Sequence, residues 1–390
     1  MPLRPLASAE LAGRRVMIRS DLNVPLENGR VANGQRIQAA LPAIRHCLDQ
    51  GAAVILLSHL GRPRPGSFDP RYSLAPVAAE LSRALRMPVP LSRNWLNGLD
   101  VSPGEVALCE NVRFNPGEKE DSAELGRRMA ALCDIYVMDA FASAHRAHAS
   151  VHAVALAARA ACAGPLLLSE LAALEAAFAN PARPLVAIVG GAKVSGKLGL
   201  LASLAAKADV LIPGGGIANT LLGAAGTPIG ISLAEPDLHA QALDLLRARA
   251  ELMLPIDAVL APSPDQAEAA RIAAIGQVGG QEMILDIGPG TAERYAAAIA
   301  CSGTVIWNGP LGLFEIEAFA GGTRKIAEAV AASAAYRLAG GGDTLRALDD
   351  FGLAPALDHL CTGGGAMLAW LEGGQLPTIA ALESRAEGES

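Results

Sequence analysis

A succession of short apolar runs constrains this chain more than any other feature of it. They fall at residues 16–19, 54–57, 106–109, 135–138, 185–189, 210–212, 258–260, 283–286, 305–307, 337–339 and 360–361. The runs are continuous and do not alternate apolar with polar positions, so they read as strands covered on both faces. Longer Ala- and Leu-rich stretches of helical character separate them. Strands divided by helices imply parallel sheets with right-handed crossovers. The chain has 390 residues, which suits two domains of about 100–200 residues each. The expected class is α/β, with two doubly wound parallel-sheet (Rossmann-like) domains joined by a hinge helix. The stretch 169–180, SELAALEAAFAN, contains no helix breaker and is followed by Pro181 and Pro184. It is the expected joining helix.

The two halves differ in the residues that come directly after their strands. Ligands of open parallel sheets bind outside the carboxyl ends of the strands, so these residues are the candidate ligand groups. In the first half they are polar or charged: Asp21 and Asn23, then His59 and Arg62, then Arg113, then His145 and Arg146. With Arg36 this makes four arginines, whose planar forks suit phosphate and carboxylate oxygens. Converging on one edge, they would bind a small, multiply charged anion. Asp21 and Asn23 could accept from a hydroxyl of the same ligand, and His148 stands close enough in sequence to support the cluster.

In the second half the strands run into glycines: Gly190-Gly191, Gly214-Gly215-Gly216, Gly340-Gly341-Gly342 and Gly363-Gly364-Gly365. Glycine between strand and helix lets backbone N–H groups approach phosphate oxygens at a helix N-terminus, although tight packing also selects it. The stretch 191–198 fits GxxxxGK but ends in Leu198, where a P-loop needs Ser or Thr for magnesium. Lys193 and Lys197 are four apart, so on a helix they would share a face. Asp343 directly follows a glycine run. It reads either as a hard oxygen ligand for Mg2+ or as a helix N-cap. Glu315 reads as a partner for ribose hydroxyls or as a loop carboxylate. No motif surrounds His46, His152, His239 or His359, and Trp95, Trp370 and Tyr336 read as packing residues.

Composition excludes several classes. Hydrophobic residues make up 51% of the chain and charged residues 18%, which suits packed cores and not disorder. With 32 basic against 39 acidic side chains the formal net charge is −7, the wrong sign for a general nucleic-acid binder. The six cysteines form no CxxC pair and read as reduced, buried thiols of a cytoplasmic protein. The start of the chain lacks the apolar core of a signal peptide, and no apolar run is long enough to span a bilayer. Nothing in the pattern suggests an obligate interface, so a monomer is expected.

At this point the chain resembles the phosphoglycerate kinase family over nearly its whole length. The matching stretches, in the family's order, are IRSDLNVP (18–25), QRI (35–37), SHLGRP (58–63), ENVRF (110–114), DAFASAHRAHAS (139–150), GGAKVSGK (190–197), PGGGIANT (213–220), DIGP (286–289), WNGPLGLFE (307–315), GGGDT (340–344) and TGGGA (362–366). The resemblance implies Mg2+-dependent phosphoryl transfer between ADP or ATP and a three-carbon phosphorylated acid. It assigns 1–168 to the 3-phosphoglycerate domain, 169–183 to the hinge and 184–374 to the nucleotide domain. The tail 375–390 would pack back near the hinge or the first domain. Asp21, Leu22, Asn23, Arg36, His59, Leu60, Gly61, Arg62, Arg113 and Arg146 would hold 3-phosphoglycerate or the same end of 1,3-bisphosphoglycerate. Arg36, Lys193, Gly341 and Gly342 would serve the transferring phosphoryl group. Gly191, Ala192, Lys197, Gly214, Gly215, Gly216, Asn308, Leu313, Glu315, Gly341, Gly342, Asp343 and Thr344 would line the nucleotide site, with Asp343 ligating Mg2+. The chain departs from the family at Gly196, often Asp; at Ala142-Ser143, often Gly-Thr; and at Leu22, usually Phe. Another small-acid kinase, or an inactive nucleotide-binding relative, would share much of this pattern.

Overall fold

The structure is a computed structural model that describes residues 3–387. It divides into two compact units. One runs from the start to Leu171 and resumes at Gln375, and the other spans Ala172–Gly374.

In the first unit the strands are β1 (Arg15–Ser20), a hairpin of β2 (Leu26–Glu27) and β3 (Arg30–Val31), β4 (Ala53–Leu57), β5 (Leu91–Ser92), β6 (Val106–Cys109), β7 (Ile135–Asp139) and β8 (Ala161–Ala163). Six of them make one parallel sheet in the order β5-β6-β4-β1-β7-β8. β4 and β7 are buried along their whole lengths, as expected of strands covered on both faces. The helix Gln35–Asp49 turns Ile37, Ala40, Leu41, Ala43, Ile44 and Cys47 inward, the i, i+3, i+4, i+7 spacing of one buried stripe. That stripe joins Val16, Ile18, Val54, Leu56, Val106 and Leu108 in a continuous core.

In the second unit the strands are β9 (Leu185–Val189), β10 (Val210–Pro213), β11 (Glu251–Leu252), β12 (Asp257–Ala261), β13 (Arg271–Ala274), β14 (Met283–Ile287), β15 (Thr304–Asn308), β16 (Tyr336–Gly340) and β17 (His359–Cys361). The parallel sheet runs β11-β10-β9-β15-β16-β17, the doubly wound order in which the chain reverses direction between its first and fourth strands. Val186, Ile188, Val305 and Trp307 form its centre.

Two expectations are corrected. The runs 258–260 and 283–286 read as parallel strands, but β12 and β14 pair antiparallel, with β13 completing a separate three-stranded sheet. Only 3-10 turns at Ala267–Ala269 and Ile275–Gln277 lie between them. A parallel pair needs a crossover of about a dozen residues or more, usually a helix. The joining helix also differs. α-Helix covers Pro165–Leu174 and gives way to π-type turns over Glu175–Ala179. Asp139 Oδ1 accepts from Leu166 N at 2.8 Å and Leu167 N at 3.2 Å, which caps the start of that helix. The last helix, Pro377–Glu387, belongs to the first unit. Arg385 there donates to Ala158 O and Arg159 O. Residues 388–390 of the expected tail lie outside the described residues.

Leu56 is fully buried in the first core. Leu56→Ala should therefore lower unfolding free energy by about 2–5 kcal/mol, measured by denaturant titration. Asp139 gives a pH-dependent test. Burial pushes its carboxyl from 3.8 up to about 6. The folded state then holds this proton more tightly than the unfolded chain, so the group's stabilising effect is full below 3.8 and lost as pH rises through about 6. Asp139→Asn keeps an acceptor for the helix start without the charge. Its thermal midpoint should exceed that of the native chain at pH 8, and the gap should close below about pH 4.

Candidate active site

Four strands of the first sheet end at one edge, and each delivers part of a polar cluster. β1 runs into Asp21, Leu22 and Asn23, and β4 into His59, Leu60, Gly61 and Arg62. β6 leads to a 3-10 turn, Val112–Phe114, that carries Arg113. β7 leads through the turn Phe141–Ser143 to His145 and Arg146. Arg36 comes from the first turn of the helix Gln35–Asp49. Hydrogen bonds tie these loops to one another. Gly61 N donates to Asn23 Oδ1 at 2.9 Å, Leu22 N to Ser58 Oγ at 2.9 Å, and Arg113 Nη1 to Gly61 O at 2.5 Å. Asn111 accepts from Arg113 N and donates to Leu60 O and Tyr72 O, so the Arg113 turn is fixed at both ends. Arg36 Nη1 donates to Asp21 Oδ2 at 2.6 Å, and Arg62 is exposed.

Charge in this cluster is strongly unbalanced. Burial pushes Arg113 down to about 10, and Arg146, Arg19 and Arg62 add to the fall. Burial also drives His59 well below its ordinary value, with Arg19, Arg113, Arg146 and Arg36 reinforcing it. His148 falls to about 4, by burial first and then through Arg113, Arg146, Arg19 and Lys119. Both rings are therefore neutral at neutral pH, and the guanidinium groups lack enough nearby carboxylate to balance them. Such a site favours an anion.

Sequence reasoning ended the first strand on Arg19 and gave that residue no role. It is 2% exposed. Its Nε donates to Ser150 Oγ at 3.1 Å, and its Nη2 lies 3.0 Å from His59 Nδ1. Ser150 Oγ donates in turn to Glu118 Oε1 at 2.6 Å, and Glu118 is also 2% exposed. The available signal was an arginine inside an otherwise apolar buried strand, which is costly unless paired. His152, read as lacking a motif, binds Asp121 Oδ2 through Nδ1 at 2.6 Å. A partner 31 residues away leaves no local pattern to read.

In the second unit the glycine turns meet where the strand order reverses, between β9 and β15. A Cβ on Gly190 would lie 1.9 Å from Pro310 O, so only glycine allows the two turns to touch. Gly214 caps the helix Gly215–Ala224, which begins with Gly215 and Gly216. Gly341, at φ +99°, caps the helix Gly342–Asp350. The N-termini of both helices offer backbone N–H groups suited to phosphate. Asn308 Nδ2 donates to Gly340 O at 2.8 Å, and Gly309 N to Thr344 Oγ1 at 2.6 Å, which locks β15 to the second of these turns.

The two lysines do not share a helix face. The helix begins at Leu198, with Lys197 as its N-cap, so both lie in the loop after Gly191. Lys193 is exposed. Lys197 turns inward and donates to Gly190 O at 2.6 Å and Asn308 O at 3.2 Å. Burial pushes its ammonium down to about 8, against the opposing pull of Asp343. Two carbonyls at the strand ends thus satisfy Lys197 where a helical turn would have carried it outward. The loop is held by Glu235, which the sequence did not single out. Ser195 N and Oγ donate to its carboxylate at 2.8 and 2.7 Å.

Asp343 lies in the first turn of its helix and is not the cap, which is Gly341. Its side chain is exposed. Among the described residues no group of three His, Cys, Asp or Glu side chains could hold a metal. An exposed carboxylate beside helix N-terminal N–H groups fits Mg2+, which commonly takes one or two carboxylates plus substrate phosphates. Glu315 stands 3.8 Å from Arg346, and Leu313 is partly exposed. Ala192 is exposed in the glycine loop.

Residues 6–374 match the model of the family described as phosphoglycerate kinase. The chain is 51% identical over 389 residues to the phosphoglycerate kinase of Nitratidesulfovibrio vulgaris (strain DSM 19637 / Miyazaki F), covering 99% of each. It is 52% identical over 386 residues to that of Coxiella burnetii, covering 98% of this chain and 99% of the relative. Among solved structures, phosphoglycerate kinase from Coxiella burnetii superposes with a TM-score of 0.94 at 51% identity, covering 99% of this chain and 100% of that one. Phosphoglycerate kinase from Pyrococcus horikoshii OT3 does so with a TM-score of 0.84 at 28% identity, with the same coverage. In sequence over nearly its full length, and in fold, the chain belongs to the phosphoglycerate kinase family, phosphotransferases that use a carboxyl group as acceptor.

Proposed function

We propose that the chain transfers a phosphoryl group reversibly between 1,3-bisphosphoglycerate and Mg-ADP, giving 3-phosphoglycerate and Mg-ATP. The observation that carries this reading is the under-neutralised arginine cluster at the edge of the first sheet, in a chain of this family. Arg62, Arg113 and Arg146 would grip the acid's phosphate and carboxylate oxygens, with His59 and the backbone of Leu60 and Gly61 beside them. Asp21 and Asn23 would take the hydroxyl, and Leu22 would pack against the ligand. In the second unit Gly191, Ala192, Gly214, Gly215 and Gly216 would line the nucleotide. Lys197, Gly341, Gly342 and Thr344 would hold its phosphates, and Asn308, Leu313 and Glu315 its nucleoside.

The acceptor carboxylate is already a nucleophile at neutral pH, so no general base is needed. Catalysis is then a matter of positioning and of stabilising the charge spread over the transferring group. Arg36, Lys193 and the N–H groups of Gly341 and Gly342 would do this. Asp343 would hold Mg2+, which when bound supplies further neutralisation of the phosphate oxygens. Acid and nucleotide are held by different units, so we assign the bending that aligns them to 169–183. We further propose a cytoplasmic monomer. Among the described residues the exposed large apolar side chains, such as Phe68, Leu156 and Ile272, are scattered along the chain, and no helix is long and apolar enough to cross a membrane.

Turnover with 3-phosphoglycerate, ATP and Mg2+, coupled to consumption of the acyl phosphate, tests the reaction. Arg36→Ala and Lys193→Ala should each lose roughly 10²–10³-fold in kcat. Near-normal turnover in both would remove the assignment, and activity on another acid alone would redirect it. Lys197 sets a pH dependence. With its ammonium value at about 8, the side chain is charged below that pH and neutral above it. The KM for ADP should therefore rise as pH passes through about 8, whereas Lys197→Arg should show a flat profile over the same range. An identical profile in both proteins would rule Lys197 out as the titrating group.

A further inference from the structure

Arg19 stands apart from the ligand set proposed above, yet each of its three nitrogens has a partner. Nη1 donates to Ser20 O at 2.5 Å, Nε to Ser150 Oγ at 3.1 Å, and Nη2 meets His59 Nδ1 at 3.0 Å. A guanidinium has no acceptor atom. His59 Nδ1 must therefore accept, and a ring nitrogen that accepts carries no proton. The proton of the neutral ring is left at Nε2.

The guanidinium is itself oriented from behind. Ser150 has a single hydroxyl proton, and it goes to Glu118 Oε1 at 2.6 Å, so the Ser150 lone pair is what receives Arg19 Nε–H. Ser150 N donates to Glu118 Oε2 at 3.0 Å and fixes that carboxylate. Doubly protonated His59 is disfavoured as well. The ring is 6% exposed, and its charged neighbours are Arg19 in β1, Arg36 in the helix Gln35–Asp49, Arg113 after β6 and Arg146 after β7. Asp21 and Glu118 are the acidic groups that act on Arg19.

We propose that Arg19, oriented by Ser150 and Glu118, is a positioning residue that holds His59 as the neutral Nε2–H tautomer, offering a single N–H donor to an oxygen of the phosphorylated acid. The proposal rests on the first unit being the acid site. It makes His59 a hydrogen-bond donor whose state does not change over the working pH range. The pH dependence of acid binding would then come from the substrate phosphate, whose second ionisation lies near about 6.

The full chain, labelled with 15N-histidine, would be followed by long-range 1H–15N spectra between about pH 5.5 and 8.5, with the His59 signals identified by their loss in His59→Gln. The native chain should show the Nε2–H pattern throughout. Arg19→Lys should retain it, because an ammonium is also only a donor. The double variant Arg19→Met, Glu118→Gln avoids leaving one buried charge alone. It should show mixed tautomers and a ring that titrates closer to an ordinary histidine. Its KM for 3-phosphoglycerate should rise roughly 10–100-fold, the loss expected for a misplaced donor to a charged ligand, with the KM for ATP unchanged. An Nδ1–H ring in the native chain, or one that protonates with an ordinary midpoint, overturns the proposal without any variant having to fold. If the tautomer is as stated but saturating 3-phosphoglycerate leaves His59 Nε2 unmoved, the acid-site reading fails and takes the donor role with it.

Discussion

The parallel pairing of β1 with β4 on one side and β7 on the other is the constraint on which the chemistry of the first unit depends. In a parallel ladder every strand leaves the sheet at the same edge. Residues as far apart as Asp21, His59, Arg113 and Arg146 are then delivered to one edge by the short turns that follow the strands. The same geometry works in the second unit, where β9 and β15 pair in register from Leu185 with Thr304 to Val189 with Asn308. Gly190 and Gly309 therefore begin their turns together at the point where the strand order reverses. The covered faces of both sheets hold this placement, because a one-residue slip would exchange the side chains packed on the two faces and undo the fit of both.

Gathering guanidinium groups at one edge works against folding. Arg113 is pulled down to about 10 and Arg19 is lowered as well, burial leading in both cases. Glu118 is pushed up by its burial while Ser150, Arg19 and Arg113 draw it back. The few carboxylates present are thus committed to holding Arg19 and Arg36 in place, which leaves Arg62, Arg113 and Arg146 short of counter-charge. An anion bound there relieves repulsion that the fold itself builds in. Ligand that binds the folded state alone stabilises it by mass action, so relief of that repulsion would add to the affinity of any anion that binds at this edge.

Most of the candidate residues legible in the sequence share one property: apart from Arg36, which opens a helix, they lie in the segments that leave the carboxyl ends of strands. Continuous apolar runs located the strands, and the rule that ligands sit beyond their carboxyl ends turned Asp21, Arg62, Arg113 and the glycine turns into candidates. Residues that act from inside or from a distance carried no such mark. Arg19 sits within β1, and Glu118 reaches it only through Ser150, 32 residues further on. The antiparallel sheet was misread because β12 and β14 are apolar enough to pass for central strands. Burial there alternates along β12, and only one residue of β13 is buried. A half-wet face of that kind becomes visible only once the partner strands are known. The short strands β5 and β8 carried no run that the sequence reading picked out, and sheet pairing decides them instead.

The loop between Lys193 and Lys197 shows how a local departure can be balanced from elsewhere in the chain. Gly196 takes a position that often holds Asp in the family, and no side chain caps the helix that begins at Leu198. Read locally, the loop should be loose. Yet Val194 is buried, and Ser195 is held through both its N–H and its hydroxyl by Glu235, whose carboxyl stays below its usual range chiefly because of that hydroxyl bond. Glu235 N donates in turn to Thr220 Oγ1 at 3.0 Å, and that hydroxyl donates to Gly216 O at 2.8 Å. The chain of bonds joins the lysine loop to the helix that Gly214 caps. The position of the loop that carries Lys193 therefore depends less on its own composition than on a carboxylate 40 residues away from Ser195. That carboxylate fixes the backbone directly before Gly196, where glycine by itself would leave it free.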